Sequence, residues 1–204
     1  MLTKIYTFKG VLNYMDNKEI LSCNPQKKLL QVPVIVGWGE KQELVVKVST
    51  VSPPSPPVFR IEGIDKKVVI TNLLIVPPTC KTGDKWLGKV ILDGYIDKNV
   101  NYKTITDYTC DAVNGPLYQF TTRIDFATFV DVVADEQFCE DDNAEILEAY
   151  VEGEKEELLD PNPLADGAPD WAVTYNKLLE KIIVKIKLKI TKIEHVAVSA
   201  EPYN

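Results

Sequence analysis

The sequence predicts an all-β protein, a β-sandwich of jelly-roll or immunoglobulin-like type with about nine or ten strands. Three observations carry this. Long runs alternate apolar and polar residues with a period of two, the signature of strands with one dry and one wet face. Proline, glycine and asparagine turn signals separate the runs at sandwich spacing. No alternation of strand and helix patterns appears, which argues against a doubly wound parallel fold.

The clearest run in the middle of the chain is Lys89–Tyr102. Val90, Leu92, Ile96, Val100 and Tyr102 share one parity, and Asp93, Asp97, Asn99 and Asn101 share the other. Gly94 and Lys98 interrupt the apolar parity. A strand glycine marks a bulge or a close backbone approach. The even positions are therefore expected in the core.

Taken in order, residues 1–14 hold an N-terminal strand, with Leu2, Lys4, Tyr6 and Phe8 alternating against Thr3, Ile5, Thr7 and Lys9. This segment is a candidate arm for exchange with a neighbour. Leu30, Val32, Val34 and Val36 line one face of the next strand, where Pro33 removes a ladder donor and implies an edge or a bulge. Gly37-Trp38-Gly39 reads as a turn, followed by a strand through Leu44, Val46 and Val48. Pro53–Pro57 reads as a stiff polyproline connector rather than an SH3-type ligand, because it interrupts a strand series. Val58–Ile61, Lys67–Val76 and 117–133 supply further strands, and the polar segment 103–115 is turn-rich.

The composition changes near Asp135. From Asp131 to Asp160 there are 13 acids and one base, Lys155. Residues 135–170 read as an acidic insertion in a single domain spanning 1–204. Within it Asn143–Glu157 is the best helix candidate, with Ile146, Leu147, Tyr150 and Val151 at helical spacing and Asp141 or Asp142 as cap. Trp171–Lys181 is a second candidate for a short helix or turn. The closing strand sets Val184, Ile186, Leu188 and Ile190 against Lys185, Lys187 and Lys189. Those lysines solvate one face or pair with the acidic tract, and they guard against edge-to-edge aggregation.

Composition restricts function. The chain has 204 residues, 45% of them apolar, and a net charge of −7. A chain this long buries roughly 70% of its unfolded surface. Its acidity disfavours nucleic acid and anionic lipid as partners. No apolar run is long enough for a membrane span. The start, MLTKIYTFKGVLNYMD, lacks the apolar core of a signal peptide, so synthesis in a cytoplasm is expected.

No catalytic motif is present: there is no GxGxxG, Walker lysine motif, GxSxG or HExxH. The single histidine, His195, has no visible nucleophile to activate and reads as structural or exposed. Asp141-Asp142-Asn143-Glu145 offers the hard oxygens calcium prefers, but without EF-hand spacing it reads as a solvated or partner-facing face. Cys23, Cys80, Cys110 and Cys139 lack zinc-site spacing. They read as free thiols, or as candidate cross-links between subunits in an oxidising exterior. No metal or cofactor is expected.

Several strings resemble the SPOCS domain of coat and exosporium proteins of endospore-forming bacteria. They are Glu43–Val46, VFRIEGIDKKVVITNLLIV (Val58–Val76), KVILDGYIDKNVNYK (Lys89–Lys103) and IDFATFVDV (Ile124–Val132), with Gly94, Tyr102, Phe126 and Phe129 as fixed points. The closing strand near Val184–Val198 belongs to the same resemblance. Relative to it, the acidic stretch looks like an insertion, and no LysM-type module follows. The resemblance implies a non-enzymatic structural subunit, made in the mother cell and deposited on the spore surface as coat, exosporium or appendage fibre. Its partners would be its own copies and other spore-surface proteins. The alternative is an adaptor that recruits another coat protein through Glu152, Glu154, Glu156 and Glu157. A hydrolase of the same sandwich class is a third reading, distinguished by a pocket holding two perturbed carboxylates.

Overall fold

A computed structural model describes residues 27–199. The chain is all-β there. Its long strands are β1 (Lys27–Thr50), β2 (Arg60–Val76), β4 (Lys85–Lys103), β7 (Leu117–Ala134), β8 (Asn143–Pro161) and β9 (Tyr175–Ser199). Three two-residue strands, β3 (Lys81–Thr82), β5 (Asp107–Tyr108) and β6 (Val113–Asn114), sit in the connections. The expected N-terminal strand and exchange arm, residues 1–14, lie outside the described residues, as does Cys23.

Every pairing is antiparallel, and the main sheet runs β2-β4-β7-β1-β9-β8, with β3 pairing only with β4. The sheet folds over on itself, so that β2-β4-β7 forms one layer and β1-β9-β8 the other. The backbone ladders of the two layers join where β1 crosses to β7, at Gly37–Gly39 opposite Val132–Ala134, and Val58, just before β2, bridges to Tyr175 of β9 at the other end. The core mixes residues of both layers: Val90, Leu92 and Ile96 of β4 with Ile182, Val184, Ile186, Leu188 and Ile190 of β9. Both strands show the predicted alternation, and the even positions of β4 from Gly88 to Tyr102 are all buried. Its Asp and Asn parity faces outward, where Asp97 meets Arg123 at 2.9 Å and Asn99 accepts from Thr121.

Gly94 is a close approach. A Cβ there would lie 2.7 Å from the Val69 carbonyl oxygen. The register of β2 slips opposite it, between Ile70 and Asn72. Glycine and bulge thus occur together, one on each of two paired strands.

The structure corrects four local readings. Gly37-Trp38-Gly39 is not a turn: β1 continues through it, and the glycines let β1 approach β7, since a Cβ at Gly39 would sit 2.6 Å from the Asp131 oxygen. The expected helix over Asn143–Glu157 is strand β8, paired with β9 along its length. Bulges between Ile146 and Glu148 and between Val151 and Gly153 shift its parity, so that a strand with two slips mimics helical spacing. Trp171–Lys181 is loop followed by β9, without helix. Pro53–Pro57 lies in a turn-rich connector rather than an extended polyproline stretch, with Ser55 N–H donating to the Val51 carbonyl.

Two ends of the sandwich differ. At one, β1 and β9 run on past their neighbours. Lys27–Val34 pairs with Lys192–Ser199 as a two-stranded ribbon of eight residue pairs that no other strand joins among the described residues. At about 3.4 Å per residue it projects roughly 27 Å. At the other end, Tyr102 pins the proline connector by donating its hydroxyl to the Pro56 carbonyl at 3.0 Å.

Candidate functional site

Lys98 is the interruption in the apolar parity of β4, and it points inward with the rest. It is fully buried (0% exposed), as is Glu180 of β9 in the facing layer. Its ammonium donates to Glu156 of β8 at 2.8 Å and to Glu154 at 3.3 Å, and lies 2.9 Å from Glu180 Oε1. Ser49 of β1 donates to the second oxygen of Glu180 at 3.0 Å. Lys66 of β2 pairs with Glu154 from the edge. Five strands therefore meet in one ionic cluster that clasps the two layers together.

The electrostatics follow from this geometry. Burial pulls the Lys98 ammonium towards neutrality. The Glu156 hydrogen bond and the adjacent Glu180 and Glu154 charges outweigh it and hold the group above its ordinary value. Burial raises Glu154, but the Lys66 bond and the Lys98 charge prevail and hold it below the usual carboxylate range. The carboxylates turn into the space between the layers, where they hold the Lys98 ammonium. Their arrangement is that of a structural clasp.

The structure divides the four glutamates of the candidate partner-facing patch. Glu154 and Glu156 turn inward to Lys98, and Glu152 and Glu157 face outward. Glu152 accepts from Gln42 and lies 3.9 Å from Lys185. The closing lysines do pair with acids, Lys185 with Glu40 at 3.0 Å and Lys189 with Glu145 at 2.9 Å. Asp142 caps a turn by accepting from Cys139 N–H at 2.7 Å, and with Glu145 paired to Lys189 the calcium candidate is dispersed. Among the described residues no group of three His, Cys, Asp or Glu converges to hold a metal. His195 is exposed on the ribbon, 3.2 Å from Gln31 Nε2.

Cys80, Cys110 and Cys139 are exposed free thiols. Cys80 lies in the β2–β3 connection and Cys139 in the β7–β8 connection, at the ribbon end of the sandwich. Cys110 lies in the β5–β6 hairpin at the opposite end.

Two outer surfaces are apolar. On the β2-β4-β7 layer, cross-strand rows join Leu74, Ile91 and Phe129, then Leu87, Val133 and Trp38, all exposed. On the other layer, β1 presents Leu44, Val46 and Val48, which are 60%, 54% and 49% exposed. On the first face the Lys89–Asp131 ion pair lies between the two apolar rows. Clusters of exposed apolar side chains mark interaction sites.

Residues 57–157 match the family model described as SipL, SPOCS domain. This stretch is a SPOCS domain. The match covers β2 to β8, including the acidic tract as far as Glu157, and so includes three of the quoted strings: Val58–Val76, Lys89–Lys103 and Ile124–Val132. The SPOCS match leaves out β1 and β9, which complete the second layer and supply Ser49 and Glu180 to the clasp. The SPOCS family is one of spore-associated proteins. No curated protein and no solved structure matches the chain.

The clasp escaped sequence reasoning, although a signal for it exists. Lys98 breaks the apolar parity of one strand, and Glu180 breaks that of another, between Leu178 and Ile182. Opposite charges inside two apolar parities point to a buried pair.

Proposed function

We propose that this chain is a non-enzymatic structural subunit of the endospore surface that assembles with copies of itself through its strands and outer faces. The SPOCS domain supports the spore association. The observation that carries the assembly reading is the pair of exposed apolar surfaces, Trp38 with Leu74, Leu87, Ile91, Phe129 and Val133 on one layer and Leu44, Val46 and Val48 on the other. If the two different patches meet head to tail, the contact builds rings or open arrays rather than two-fold dimers. The titratable cluster serves to hold the layers together and has no task in a reaction.

Exposed Cys80, Cys110 and Cys139 supply thiols for cross-links between neighbours once the surface is oxidised. Deposition from the mother-cell cytoplasm onto the spore gives them that exposure. Size-exclusion chromatography with light scattering, over a concentration series and with or without reductant, tests the reading. Concentration-dependent growth of the mass is expected, and oxidation should make the larger species persist on dilution. A chain that stays monomeric at high concentration under both conditions would contradict it.

A further inference from the structure

Antiparallel pairing sets residues directly opposite one another, and like charges in that position repel. The clasp holds two such pairs, and each is bridged. Lys66 stands opposite Lys98 with Glu154 between them, and Glu156 stands opposite Glu180 with the Lys98 ammonium between them. Arg60 of β2 stands opposite Lys103 of β4 without such a bridge. Glu62 takes up Lys103 at 3.3 Å. The Arg60 guanidinium has no carboxylate partner among the described residues and stands 5.6 Å from the centre of the Phe59 ring. Lys155 opposite Lys181 is unbridged as well, on the outer face of β8 and β9, and serves below as the comparison.

The Arg60–Lys103 pair differs in bordering a hollow of about 340 Å³ at the connector end of the sandwich, lined also by Phe59, Thr104, Asn114 and Trp171. Segments remote in sequence build it: the start of β2, the end of β4, the turn after β6 and the β8–β9 loop. Each is tied down. Phe59 N–H donates to the Lys103 carbonyl at 2.8 Å, and Thr106 N–H to the Asn114 carbonyl at 2.9 Å. At Gly115 a Cβ would stand 2.0 Å from the Thr104 carbonyl oxygen, so the turn needs glycine to lie against the strand end. Tyr108 of the β5–β6 hairpin donates to the Asp166 carbonyl at 3.2 Å, which secures the loop that carries Trp171. The Phe59 and Trp171 rings lie 6.1 Å apart, tilted by 44°, and Trp171 is half exposed.

The hollow thus joins an open aromatic face to two cations and an amide. A sugar ring offers an apolar C–H face that suits the negative face of an aromatic ring. A carboxylate on that sugar pairs with a guanidinium through two parallel hydrogen bonds. The volume lies at the low end for small-ligand sites, which suits a short saccharide. Two cations in a chain of net charge −7 do not suit a nucleic acid. We propose that this hollow binds a carboxylated sugar, with its ring on Trp171 and its carboxylate between Arg60 and Lys103. The site stands apart from the self-assembly reading above.

Titration of the full-length protein with digalacturonate, read by calorimetry and by tryptophan fluorescence, tests the proposal. Saturable binding is expected. The neutral disaccharide galactobiose and acetate should each bind at least about tenfold more weakly, because each lacks one of the two features that the hollow joins. Arg60→Gln and Trp171→Ala should each weaken digalacturonate by about tenfold or more, while Lys155→Gln leaves it unchanged. Arg60→Gln should also melt no lower than wild type, since it relieves a repulsion. A lower melting temperature would give Arg60 a structural role and overturn the proposal. So would a wild type without saturable binding, or binding unchanged in both site variants. Acetate binding as tightly as digalacturonate would show an adventitious anion only. None of these outcomes depends on the oligomeric state.

Discussion

Lys98 shows how one residue connects sequence, packing and stability. An ammonium in a closed core is costly unless charges and hydrogen bonds compensate it, and here three carboxylates do. Removing it strands them. Lys98→Met should therefore destabilise the fold by about 3–5 kcal/mol, measured by urea unfolding. The clasp also predicts a pH profile. Glu154 sits below the ordinary carboxylate range, so its contribution is complete above that range and lost as pH falls through the lowered value. Lys98 sits above the ordinary lysine value, so its contribution is complete below that value and lost as pH rises past it. Stability should be flat from about pH 5 to about pH 10 and fall on both sides. In Lys98→Met the acid side should reverse, because carboxylates left without their ammonium are easier to bury when protonated. A variant that keeps the wild-type acid limb would contradict the clasp. A lesser effect is expected at Tyr102, where Phe removes the bond to Pro56 and should cost about 1 kcal/mol.

At the scale of elements, β8 is the instructive case. Its two bulges break the period of two, so Ile146, Leu147, Tyr150 and Val151 fall at helix-like spacing although the segment is extended. Nothing local distinguishes the two states. Pairing with β9 decides it, and that pairing is long-range. β4 and β9 were legible because neither contains a slip in its core half and one face of each is wholly buried. Gly37 and Gly39 were misread for a similar reason: glycine signals both turns and close approaches, and only the presence of β7 selects the second. The inward placement of Glu154 and Glu156 depends on the second bulge, which no pattern in the sequence announced. Substituting both by Gln should therefore act on stability, lowering the melting temperature by several degrees, roughly 4 °C per kcal/mol lost in a chain of this size. Substituting the outward Glu152 and Glu157 by Gln should leave the melting temperature nearly unchanged. Equal effects of the two pairs in a thermal melt would contradict the observed strand parity.

For the whole molecule, the acidic tract is part of the sheet, and the SPOCS match and the strands outside it form one core. The clasp joins β4 and β8 within the match to β1 and β9 beyond it. The stable unit is expected to need all of these strands. A fragment limited to residues 57–157 should fail to show a cooperative melt, because it lacks half of the core. Among the described residues the same architecture leaves clusters of apolar side chains and a projecting ribbon at the surface, features that the proposed assembly would cover. Electron microscopy of the full-length recombinant protein tests this most directly. Ordered fibres or sheets of repeating sandwich-sized subunits are the predicted result. A field of dispersed single particles, unchanged at high concentration and after oxidation, would contradict the account.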